Sequence, residues 1–81
     1  MATQSIFVRA TWDDEAKVWV ATSDDIPGLV TEAAHIEDLP AKLHGIILDL
    51  HELNGDFELP QGAALRILSE QVVHFDPAKV A

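Results

Sequence analysis

The sequence predicts a small α+β domain in the order β-β-β-α-β, with a sheet packed against one helix. Three observations predict it. Apolar residues alternate with polar ones from Ile6 to Trp12, which is the period of two that a half-buried strand requires. Leu39, Leu43, Ile46, Leu50 and Leu53 recur at spacings of three and four, which draws one stripe along a helix. Turn residues and further β-rich runs fill the rest of an 81-residue chain, and that length suits a single domain spanning residues 1–81 with its core at about 5–75.

Each element follows from its residues. Ile6, Val8, Ala10 and Trp12 share one face of the first strand, with Arg9 and Thr11 on the other. Asp13-Asp14-Glu15-Ala16 breaks the alternation, and Lys17 to Thr22 is again a β-rich run, so the two form an antiparallel hairpin with an acidic tip. Asp25-Ile26-Pro27-Gly28 is a structural turn, because proline presets φ near −65° and glycine accepts the positive φ that a type II turn needs next. Leu29 to Ala33 is a short third strand.

The helix is expected near residues 38–54. Asp38 is placed as its N-cap, Pro40 fits its first turn, and Asn54-Gly55 stops it. Phe57 to Gly62 connects to a last strand or strand pair within Ala63 to Phe75. Strands one and three run alike, so a helical crossover sets strand four parallel to strand one, making an antiparallel three-stranded sheet plus a fourth strand. A single helix covers one sheet face. Phe7, Trp19 and Val18 or Val20 give the hairpin apolar residues of both parities, so the other face is expected to be covered by a second subunit or a protein partner.

Composition narrows the function. Five Lys and Arg against fourteen Asp and Glu give a net charge of −9, which repels nucleic acid and anionic membranes and favours a basic protein partner. An apolar fraction of 48% excludes a disordered tail. Burial contributes on the order of 120 kcal/mol, and ordering the chain at roughly 1.5 kcal/mol per residue opposes it almost equally. A homodimer or higher homo-oligomer is therefore expected. With no cysteine, disulfides, thiolate metal sites and cysteine nucleophiles are excluded. No signal-peptide pattern or long apolar run occurs, so the expected location is the cytoplasm.

Chemical sites are sparse, and no enzyme, cofactor or metal is expected. Strand one carries no acid, Glu70 stands alone on the last strand, and Asp13 to Glu15 occupy a hairpin tip, so a magnesium-dependent hydrolase is the least favoured reading. His44 and His51 lie seven residues apart, about 10 Å along a helix, which is too far for one zinc ion. No Gly-rich phosphate loop or nucleophile motif occurs. The candidate interface residues are Trp12 and Trp19, one on each arm of the hairpin and close enough in sequence position to be neighbours across it, and His44, Ile47, Leu48 and His51, a charge-poor flank of the helix.

The run Val8 to Ala21, followed by Ser23-Asp24-Asp25-Ile26-Pro27-Gly28-Leu29-Val30-Thr31-Glu32, resembles the HicB-like antitoxin domains and the short bacterial proteins related to them. The likeness covers about residues 5–54, and the ordered set of hairpin, Asp-x-Pro-Gly turn, Leu-Val-Thr-Glu strand and helix carries it. Pro40 stands where that family usually runs on as plain helix. The resemblance implies a partial RNase H-like fold and a non-catalytic module that binds and neutralises a small basic HicA-type toxin that degrades messenger RNA. Many such proteins add a DNA-binding domain, for which the residues after Asp76 are too few. The alternative expectation is a self-associating structural domain with no toxin partner.

Overall fold

A computed structural model describes residues 5–55, 57–59 and 61–78. The chain forms β1 (Ser5–Asp13), β2 (Val18–Thr22), β3 (Val30–Ala33), a 3-10 turn (Ile36–Asp38), α1 (Leu39–Asn54) and β4 (Ala64–Glu70). The sheet order is β3-β2-β1-β4. β1 is antiparallel to β2, β2 is antiparallel to β3, and β4 runs parallel to β1. The α+β order β-β-β-α-β and the parallel fourth strand are thus as the sequence predicts.

Register assigns every strand residue to a face. Ile6 pairs with Leu65, Val8 with Ile67, Ala10 with Ala21, Trp12 with Trp19, and Trp19 with Ala33. That face packs under α1 in a core of Val8, Ala10, Ala21, Ile26, Leu29, Ala33, Leu39, Leu43 and Ile47. Small alanines at the sheet centre allow the helix to come close, and Leu39 and Leu43 fill the space as fully buried side chains. Trp19 belongs to this covered side, so its role in giving the hairpin apolar residues of both parities passes to Phe7, Val18 and Val20.

The expected helix stripe is rotated and shortened. Leu39, Leu43 and Ile47 are its buried line, whereas Leu53 is 80% exposed. Residues four apart drift only slightly round a helix, so the i, i+4, i+8 line stays on the sheet while the last turn leaves the core. Asp38 precedes α1 but makes no side-chain capping bond, because its backbone is already helical (φ −85°, ψ −13°) from the 3-10 turn. A capping side chain needs extended backbone at that position. Gly55 ends the helix at φ 64°, and its N–H donates to the His51 carbonyl at 2.9 Å.

β4 stops at Glu70, so the expectation that strand reaches Phe75 is corrected. Glu70 pairs with Thr11, and β1 ends two residues later at Asp13. On that register only Trp12 and Asp13 remain, for Gln71 and Val72, and β1 offers Val73 to Phe75 nothing to pair with. Val72, Val73 and Phe75 lie exposed outside the sheet. Pro60 and residues 79–81 lie outside the described residues.

Candidate interaction surface

The turn after β2 does more than reverse the chain. Pro27 and Gly28 form its centre with Gly28 at φ 81°, and the Leu29 N–H donates to the Ile26 carbonyl at 3.2 Å. Both flanking residues are buried, so the turn is held by the core. Just before it, Asp25 Oδ2 accepts a 2.8 Å hydrogen bond from the Phe7 N–H, and Ser23 Oγ donates to the Phe7 carbonyl. β2 reaches only as far as Arg9 along β1. Ser23 and Asp25 therefore satisfy the backbone of Phe7 in place of a strand.

This arrangement shapes the sheet face that α1 leaves open. A concavity of about 340 Å³ is lined by Phe7, Val8, Arg9, Thr22, Ser23, Asp24, Asp25 and Leu68. Register puts Phe7 beside Arg66 and Arg9 beside Leu68, and the Arg66 guanidinium lies 5.2 Å from the centre of the Phe7 ring. Phe7, Val30 and Leu68 are about half exposed or more. Both arginines of the chain stand on this face, and neither makes an ion pair among the described residues. Leu68, Val30 and the arginines were readable from strand parity, since each falls on the opposite phase from the core positions.

The helix side is acidic. Glu37, Asp38, Asp49 and Glu52 are exposed there, and Lys42 turns its Nζ back to the Glu32 carbonyl at 2.8 Å. Leu48 and Leu53 stand exposed among the acids. His44 and Leu48 line an apolar groove of about 230 Å³ with Ile6, Leu59 and Leu65. His51 is exposed and meets Phe57 edge-on, with ring centres 5.4 Å apart. Ile47 is 6% exposed and belongs to the core, so it supports this flank from beneath instead of facing outward.

Trp12 and Trp19 are tilted neighbours with ring centres 5.3 Å apart. Both are half-buried, and Trp19 packs on the core. The Trp12 indole N–H donates to Asp14 at 3.3 Å, and Lys17 binds the same carboxylate oxygen at 2.9 Å. These bonds, that from Lys17 first, hold the Asp14 carboxyl below the usual carboxylate range. The sequence-predicted residues thus fall into separate groups: the tryptophans at the hairpin, and His44, Leu48 and His51 along the helix. Among the described residues, no three His, Cys, Asp or Glu side chains gather as metal ligands, and no helix is long and apolar enough to cross a membrane.

No curated protein matches the sequence. Among solved structures, the chain is similar to a hypothetical protein, TTHA1013, from the extremely thermophilic bacterium Thermus thermophilus. The two share 48% identity and superpose with a TM-score of 0.71, over 89% of this chain and 100% of that one. The family described as a domain of unknown function, DUF1902, matches residues 5–74. That match spans both strands of the hairpin, the turn, the helix and β4, and the chain belongs to the DUF1902 family.

Proposed function

We propose that this domain works by protein contact and not by catalysis, as a HicB-type antitoxin module whose acidic helix side receives a small basic toxin of the HicA type. One observation carries the reading: acids surround exposed apolar side chains on the helix. Asp49 and Glu52 flank exposed Leu48 and Leu53 there. An apolar centre with a charged surround is the anatomy of a protein-binding patch. Its negative charge would steer a basic polypeptide to it before the apolar contacts close. The resemblance of the hairpin, turn and helix to HicB-like domains supplies the class of partner.

The test is co-expression with the product of the adjacent gene. The expected result is a stable complex and rescue of growth from the toxin, and Asp49→Lys combined with Glu52→Lys should weaken both. Absence of complex and of rescue overturns the reading. So does a complex indifferent to the double charge reversal.

A further inference from the structure

β4 and the segment behind it have an unfinished edge. β4 is the last strand in the order β3-β2-β1-β4, so one of its two sides has no strand partner among the described residues. Its register with β1 keeps a constant offset from Ser5–Ala64 to Thr11–Glu70, so no bulge bends it away. It carries no proline and no lysine, which are among the devices that keep sheet edges from pairing. The opposite edge strand, β3, has four residues against seven in β4. Past Glu70, residues 71–76 make no backbone hydrogen bond to the rest of the described chain. Val72 is 79%, Val73 74% and Phe75 87% exposed. An exposed apolar segment beside an open strand edge is the kind of surface that another polypeptide covers.

We propose that the occupant is a second copy of the same chain, joined antiparallel through β4 extended by residues 71–76, with a two-fold axis at Gln71. The sequence selects this register. Opposite residues in an antiparallel pair share a face, so allowed alignments differ in steps of two. With Gln71 facing its copy, Arg66 stands opposite Asp76, Leu68 opposite His74 and Glu70 opposite Val72 on the open side. Ile67 meets Phe75 and Ser69 meets Val73 on the helix side. A shift one way brings Glu70 against Glu70, and a shift the other way sets Asp76 against Leu68 and leaves Arg66 unmatched. Charge pairs directly opposite are favourable and like charges are not. Each arm would bring an acid to an arginine that pairs with none among the described residues of its own chain, and Phe75 comes within diagonal reach of Leu65 on the rim of the apolar groove. Two chains of charge −9 repel, but that repulsion is screened over about 8 Å at physiological salt, whereas the paired strands touch.

The lack of cysteine makes the test direct. In Gln71→Cys the two thiols would face each other across the axis, within disulfide reach for opposite residues of an antiparallel pair. Mild oxidation of the full chain should give a covalent dimer, while Gln61→Cys, in an exposed turn, should not. Sedimentation should find the unmodified chain dimeric. Val73→Pro, which removes a ladder donor outside the protomer's own sheet, should raise the dissociation constant about tenfold or more with an unchanged circular dichroism spectrum. A monomer at every concentration, a dimer that Gln71→Cys fails to cross-link, or a dimer indifferent to Val73→Pro each overturns the proposal. None of these outcomes bears on toxin binding by the helix side, which Val73→Pro leaves intact.

Discussion

Gly28 holds φ at 81°, and a methyl group built on it would meet Leu50 Cδ2 at an ordinary 3.9 Å. Space is therefore not the constraint, and the backbone is. Gly28→Ala should cost about 1–2 kcal/mol from the left-handed conformation alone, read as a lower denaturant midpoint with the slope unchanged. A loss near zero would mean that the turn relaxes to another type. Lys17 is in the same region at φ 58° without being glycine. It is held there because its N–H donates to the Asp13 carbonyl at 2.8 Å while Asp13 Oδ1 accepts from Glu15 and Ala16.

The Lys17 side chain also sets the charge state of the tip. Its bond to Asp14, followed by that from Trp12, lowers the Asp14 pKa. The sign follows from linkage: a carboxyl lowered in the folded state adds stability above its unfolded pKa and loses it as pH falls through the folded value. Lys17→Met should move the Asp14 carboxyl titration upward, towards the ordinary carboxylate range, in a carbon-detected NMR series. An unmoved midpoint would show that the bond does not persist in solution, as exposed pairs often do not.

Strands announced themselves in the sequence better than their ends did. The alternation from Ile6 to Trp12 depends on residue type alone, and it was legible. Where β4 stops was not, because Val72, Val73 and Phe75 are good strand formers, and the end of β1 at Asp13 removes a partner only from Val73 onward. α1 shows the same division. Spacing gave a helix, but Ile46 and Ile47 are adjacent isoleucines, and choosing the buried one needs the helix's rotation on the sheet. The structure chooses Ile47. Leu43→Ala, at a fully buried site, should cost about 2–5 kcal/mol. Leu53→Ala, in the last turn, should change stability by less than about 0.5 kcal/mol. Equal losses at the two positions would restore the longer stripe that the sequence suggested.

For the whole molecule, the two proposed surfaces differ in physics, and ionic strength separates them. The helix side would attract a basic polypeptide through long-range fields, which salt screens with a length near 10 Å at 0.1 M and about 3 Å at 1 M. The β4 edge would join two chains that share the same net charge of −9, so salt removes a repulsion there while weakening one local Arg66–Asp76 contact per arm. Added sodium chloride should therefore slow association with a basic partner, chiefly in the on-rate, and leave self-association unchanged or tighter. Both quantities can be read from one preparation, by stopped-flow mixing and by sedimentation across a salt series. The charge placement that supports this split was only half legible. Net charge came from counting, but the gathering of Arg9 and Arg66 on one face depends on β1 and β4 becoming neighbours, a pairing of residues 59 apart in sequence that the helix crossover brings about. If salt instead dissolves the self-associated form and spares the complex, the apolar and charged roles assigned to the two surfaces are exchanged, and the edge pairing centred on Gln71 cannot be what joins the copies.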